Sequence, residues 1–103
     1  MTKQWDDPLE ADIEAYFVRQ CKKRGWKAEK FTSPGRRSVP DRLVSKPGGS
    51  VFFCELKAPG KKPTTKQASD HRSRRLLGFR VYVADTWESV DRVIGDEELE
   101  ERE

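Results

Sequence analysis

With 103 residues, 38% of them charged and 34% apolar, the chain reads as one small domain with a modest core and little to spare for a second. No apolar run approaches the roughly 18 residues of a membrane span, and no secretory leader pattern is visible, so a cytoplasmic protein without a membrane partner is expected. The formal charge of +3 understates the basic character: 96–103 holds six acids and one arginine, which leaves +8 on residues 1–95. A basic body of that kind suits a polyanion, most simply nucleic acid.

Residues 1–8 read as a lead-in, and Asp6-Asp7-Pro8 as a helix start. Ile13, Phe17 and Cys21 then recur at helical spacing, and Gly25 is a natural stop, giving a helix over roughly 8–24. Trp26 to Phe31 reads as a short strand, closed by Thr32-Ser33-Pro34-Gly35. A loop through Arg36-Arg37-Ser38-Val39-Pro40 leads to a strand at about 41–45. The Lys46-Pro47-Gly48-Gly49 turn makes a hairpin with the next strand, Ser50 to Ala58. After Pro59-Gly60-Lys61-Lys62-Pro63, Thr64-Thr65-Lys66-Gln67 has the capping-box pattern and opens a helix to Leu77. Phe79 to Ala84 is a strand by residue type, and Thr86 to Ile94 a short amphipathic helix. The order α-β-β-β-α-β-α describes a mixed α/β fold of 1–95, a central mixed sheet with flanking helices. The β-α-β segment from Val51 to Ala84 should place its two strands parallel. The acidic 96–103 is expected to be a disordered tail. Cys21 and Cys54 lack metal-site spacing and read as reduced core thiols.

Chemistry concentrates in the hairpin, in Pro40-Asp41 and in Glu55-Leu56-Lys57. A turn symmetric about Gly48 sets Asp41 opposite Glu55, with β-carbons roughly 4.5–5.5 Å apart on one face. Two carboxylates so placed repel unless a cation lies between them, and hard ions such as Mg²⁺ use one or two carboxylates with water and phosphate oxygens. Strand alternation puts Lys57 on the same face and turns Phe52, Cys54 and Leu56 into packing. Two acids and a lysine form a minimal set for metal-assisted phosphodiester hydrolysis, the lysine positioning or polarising the attacking water. A plain hairpin with solvated acids paired to Lys57 is the alternative. Glu10 on the first helix and basic loops on both sides favour the metal site.

These pieces resemble the PD-(D/E)xK nuclease superfamily, and within it the VRR-NUC (virus-type replication-repair nuclease) branch, over nearly the whole chain from Glu10 to about Ile94. The resemblance rests on Glu10-Ala11-Asp12-Ile13-Glu14, Arg24-Gly25, Pro40-Asp41-Arg42-Leu43, Glu55-Leu56-Lys57-Ala58-Pro59, Gln67 and Gly78-Phe79-Arg80-Val81, in that order and spacing. It implies a restriction-endonuclease-like core. It also implies Mg²⁺ or Mn²⁺ held by Asp41, Glu55, the Leu56 carbonyl and Glu10, with no small-molecule cofactor. Lys57 would orient the water and stabilise charge on the phosphate, and Gln67 would sit beside the site. Glu14, one turn after Glu10, is the rival helix acid, and Gln67 has a plain role as a capping partner. His71 is expected at a surface or DNA-facing helix position.

Arg36 and Arg37 on one side and Lys61 and Lys62 on the other flank the presumed site and could grip a DNA backbone, with Arg72, Arg74 and Arg75 extending the track. Nothing reads as a base-recognition module. Small stand-alone members of the family it resembles are similar to Holliday-junction resolvases and act as homodimers on branched DNA. The resemblance therefore implies a metal-dependent endonuclease for branched, Holliday-junction-like DNA, acting as a homodimer, in the host cytoplasm if the chain is viral. A non-cleaving nucleic-acid-binding domain and a small restriction-type endonuclease are the alternatives. Trp5, Trp26 and Trp87 belong either to an interface or to the core edge.

Overall fold

The computed structural model describes residues 8–101, which fold as α1 (Glu10–Lys23), β1 (Lys27–Lys30), β2 (Arg42–Ser45), β3 (Val51–Leu56), α2 (Thr65–Leu76), β4 (Arg80–Ala84) and α3 (Trp87–Glu101). The element order is the expected one. The strands form one mixed sheet in the order β1-β2-β3-β4, antiparallel through β3 and parallel between β3 and β4.

The hairpin register follows from its turn. Gly48 and Gly49 take φ of 90° and 88°, left-handed values that a side chain resists. Lys46 N donates to Ser50 O at 2.8 Å and Gly49 N to Lys46 O at 3.1 Å, so the turn is closed tightly. The ladder then pairs Ser45 with Val51 and Arg42 with Cys54. One step further sets Asp41 opposite Glu55, as the sequence requires.

Alternation along β3 separates two layers. Phe52, Cys54 and Leu56 face a core shared with Ile13, Phe17 and Cys21 of α1 and Val90, Val93 and Ile94 of α3. Edge-on rings at Phe52 from Phe17, Trp26 and Tyr82, with centroids 5.6–6.3 Å apart, fill its centre. Trp26 is thus a core residue, 4% exposed, while Trp87 is half-exposed and edge-on to Tyr16. Trp5 and the Asp6-Asp7 helix start lie outside the described residues. At the described end of α1, the Asp12 carboxylate accepts from Leu9 N at 2.7 Å. Burial pushes the Cys21 thiol up to about 12 and raises that of Cys54 as well, so both remain protonated core groups, as expected.

The opposite face of β3 carries Phe53 and Glu55 and is covered by α2, whose buried residues are Asp70 and His71. This helix packs its polar side inward. Its start is the expected capping box: Gln67 N donates to Thr64 Oγ1 at 3.1 Å and Thr64 N to Gln67 Oε1 at 2.9 Å.

One expectation is corrected. The acidic segment anticipated as a disordered tail from residue 96 continues α3 as helix to Glu101. The cause is Glu97, which is 0% exposed and continues the inward stripe of Val90, Val93 and Ile94. Its carboxylate accepts from Lys46 Nζ at 2.8 Å, Arg80 Nε at 2.6 Å and Tyr82 OH at 2.6 Å. Burial works to raise the Glu97 carboxyl, but these three donors outweigh it and hold the carboxyl below its ordinary value. Lys46, equally buried, also donates to Glu97 O at 2.7 Å and lies over the Trp26 ring. Residues 102–103 lie outside the described range.

Candidate active site

Asp41 stands just before β2, held from both sides. Its main-chain oxygen accepts from Phe31 N at 2.9 Å, and its Oδ2 accepts from Leu56 N at 2.8 Å. The carboxylate therefore lies across the end of β3, beside the Glu55 peptide. Burial, together with the carboxylates of Glu55, Glu14 and Glu10, pushes the Asp41 carboxyl up to about 6 against the pull of the Leu56 hydrogen bond.

Glu55 is 2% exposed under α2. Its Oε2 accepts from Gln67 Nε2 at 3.3 Å and lies 3.5 Å from Lys57 Nζ. Lys57 in turn donates to Gln67 Oε1 at 2.9 Å. The same Gln67 oxygen caps α2, so the cap and the contacts to Glu55 and Lys57 coexist in one side chain. One side chain locks the helix start to the Glu55–Lys57 pair. The backbone of Lys57 is fixed by donation to Ala84 O at 2.9 Å, one step past the end of β3.

Glu55 Oε1 is buried and has no hydrogen-bond partner, and the same is true of His71 Nε2, 3.6 Å away. His71 was expected at the surface; it is 1% exposed and aimed at the acid. Helical phase explains the correction, because Gln67, His71 and Arg74 share one side of α2. A buried carboxylate oxygen without a donor is costly, and such atoms concentrate at functional sites.

The helix acids are placed less tightly. Glu10 is exposed at the first turn of α1, and Glu14 Oε2 accepts from Arg42 Nε at 2.8 Å. Both act on Asp41 through charge. Among the described residues no group of three His, Cys, Asp or Glu side chains is arranged to hold a metal ion. The side-chain donors for a cation thus reduce to Asp41 and Glu55. That set still fits Mg²⁺ or Mn²⁺, which take few carboxylates and complete their shell with carbonyl, water and phosphate oxygens. The unpartnered Glu55 oxygen is the local feature that a cation would satisfy.

Around the site the expected basic track divides. Arg36 and Arg37 are exposed on the loop before Asp41, and Lys61, Lys62 and Arg72 are exposed on the other side. Arg74 is instead turned inward, bonding Asp70 at 2.7 Å over the Phe31 and Phe53 rings, whereas Arg75 is exposed and donates to Val81 O at 2.6 Å. Among the described residues no helix is long and apolar enough to cross a membrane.

No family model matches the chain. A protein named "Putative nuclease p44", from Acyrthosiphon pisum secondary endosymbiont phage 1, is 49% identical over 77 residues, 75% of this chain and 83% of that protein. A solved VRR-NUC domain superposes with a TM-score of 0.79 at 28% identity, covering 85% of this chain and 97% of its own. With 49% identity to that protein over 75% of its own length, and with this fold, the chain belongs to the VRR-NUC nuclease family.

Proposed function

We propose that the chain is a divalent-metal-dependent endonuclease that hydrolyses DNA phosphodiesters, selecting branched or Holliday-junction-like DNA with little base readout. The observation that carries the metal site is the unpartnered Glu55 oxygen, buried on the sheet face that also presents Lys57 and next to Asp41. Asp41, Glu55 and the Leu56 carbonyl would hold Mg²⁺ or Mn²⁺, with the exposed Glu10 of α1 reaching it through water. When bound, such a cation neutralises the scissile phosphate and lowers the pKa of the attacking water.

The chain's own residues supply the rest. Gln67 holds the Lys57 ammonium beside Glu55, where it can orient the water and donate to phosphate oxygens as their charge grows. No side-chain nucleophile is required. Exposed Arg36, Arg37, Lys61 and Lys62 contact the DNA backbone, which carries no sequence information. The seven described elements are committed to one sheet and its cover, and among the described residues none is left over for base reading. Two cuts on a four-way junction need two sites, which a homodimer provides.

The test is incubation of labelled junction, flap and linear duplex DNA with Mg²⁺, Mn²⁺ or EDTA. Junction cutting that needs the cation is expected; cutting that persists in EDTA would sink the reading. Light scattering should show a dimer at assay concentrations, and a monomer would argue against paired cleavage.

His71 acts on this site as a positioning residue. Facing the unpartnered Glu55 oxygen, it restricts where that carboxylate can turn. His71→Leu is expected to lower cleavage and Mn²⁺ affinity by about 10–100-fold, the usual cost of removing a partner of a ligand. His71→Gln, which keeps a polar group facing Glu55, should recover most of both. Equal Mn²⁺ affinity in the two variants, read by calorimetry, would leave His71 a packing residue only.

A further inference from the structure

The loop before Asp41 and the outer side of α2 enclose a groove of about 600 Å³, lined by Ser33, Arg36, Arg37, Ser38 and Lys66. A second cavity of about 370 Å³ shares Arg36, Ser38 and Lys66 and extends to Ser69, Asp70 and Ser73. Together they make one trough. We infer that this trough holds the phosphodiester backbone of the substrate strand, with Lys66, Ser69 and Ser73 of α2 contacting phosphates opposite Arg36 and Arg37. The inference rests on the nuclease reading for the nature of the polyanion.

The lining decides the ligand chemistry. It contains cations and hydroxyls, the groups that contact phosphate oxygens, and no large apolar side chain that would hold a hydrophobic ligand. Its carboxylate, Asp70, is already committed: it is 5% exposed and accepts from Arg36 at 3.2 Å and Arg74 at 2.7 Å. That contact gives the trough a built cation. Arg74 fixes Asp70 from beneath, clamped over Phe31 and Phe53 with its guanidinium 5.1 and 5.0 Å from the ring centroids. Asp70 then fixes one nitrogen of Arg36, while the Arg36 side chain remains 62% exposed with other donors open to the trough.

Helical phase supplies the opposite wall. Lys66, Ser69 and Ser73 lie three and four residues apart, so they form one stripe of α2. The adjoining stripe is Gln67, His71 and Arg74, which faces Glu55 and Phe53. A strand in the trough therefore runs beside the reacting group, and the loop wall ends directly at Pro40-Asp41.

The experiment measures DNA binding by the full chain in EDTA, where cleavage plays no part, as fluorescence anisotropy over a range of salt. Probes are a labelled single strand and a blunt duplex, each in two unrelated sequences. Lys66→Ala should reduce the slope of log K against log salt by about 0.7 on single strands or 0.9 on duplex, the release expected for one phosphate contact. The loss should be the same for both sequences. Ser69→Ala with Ser73→Ala should weaken binding roughly two- to tenfold per hydroxyl and leave the slope unchanged, because neutral donors release no counterions. The probe that shows the larger loss tells whether an unpaired strand or one strand of a duplex lies in the trough. Unchanged affinity and slope in all variants, with unchanged melting temperatures, would overturn the assignment. Intact trough binding in a chain that never cuts DNA would count against the nuclease reading alone.

Discussion

Asp41→Asn is expected to abolish DNA cleavage and, in EDTA, to make the protein more stable than the parent above about pH 6. The loss of cutting should exceed the roughly 10²–10³-fold that follows removal of one transition-state donor, because a cation ligand goes with the charge. The gain in stability comes from the same carboxylate. In the fold Asp41 titrates at about 6 against an ordinary 3.8, so the folded chain holds this proton more tightly than the unfolded one. Stability from this group therefore falls as pH rises from about 3.8 to about 6 and stays low above that window. Asparagine keeps an oxygen for Leu56 N and never ionises. Its melting temperature should lack the fall, crossing that of the parent within the window. Added Mg²⁺ should raise the parent's melting temperature and leave that of the variant unchanged. A variant that still cuts, or that melts below the parent at all pH values, would remove Asp41 from the site.

Much of this site was legible before the structure because its geometry is local. The Pro47-Gly48-Gly49 turn sets the register, the register sets Asp41 against Glu55, and strand alternation sets Lys57 beside Glu55. Each step spans fewer than about 20 residues and follows a fixed period. The capping box was readable for the same reason. It could not reveal that Gln67 spends one oxygen on both the cap and Lys57, since that contact depends on where α2 lands.

What stayed hidden depends on contacts distant in sequence. His71 looked like an exposed helix residue because α2 has so few apolar positions to mark its buried side. The signal was present in another form: Gln67, Asp70, His71 and Arg74 occupy helical spacing, and a crossover helix must turn some side to the sheet. A polar inward stripe on such a helix is itself a sign of a site. Arg74 was misread with it, since charge alone does not tell a guanidinium over aromatic rings from one in water. Glu97 was missed because the run of acids from Asp96 read as a disordered tail. Its phase with Val90, Val93 and Ile94 was the overlooked clue, and its cations lie on β4 and in the β2–β3 turn.

That buried cluster gives the largest stability effect expected in the chain. Glu97→Leu leaves Lys46 in the core, its side chain 0% exposed, without a carboxylate for its charge, takes the carboxylate from Arg80 and strips Tyr82 of its acceptor. Breaking a buried pair from one side costs about 3–5 kcal/mol. For a domain of this size that lowers the melting temperature by more than about 12 °C. Replacing Lys46 by methionine in the same chain removes the stranded charge, and Lys46→Met with Glu97→Leu should recover most of the loss, since an apolar pair of similar volume is often neutral in place of an ion pair. The pH dependence runs opposite to that of Asp41. The Glu97 carboxyl titrates below its ordinary 4.5, so its contribution is complete above about 4.5 and is lost as pH falls through the lower folded value. The parent should therefore lose stability in acid more steeply than the double variant. Glu97→Leu melting within a few degrees of the parent would show that α3 is held by Val90, Val93 and Ile94 alone, with the ion cluster adding nothing.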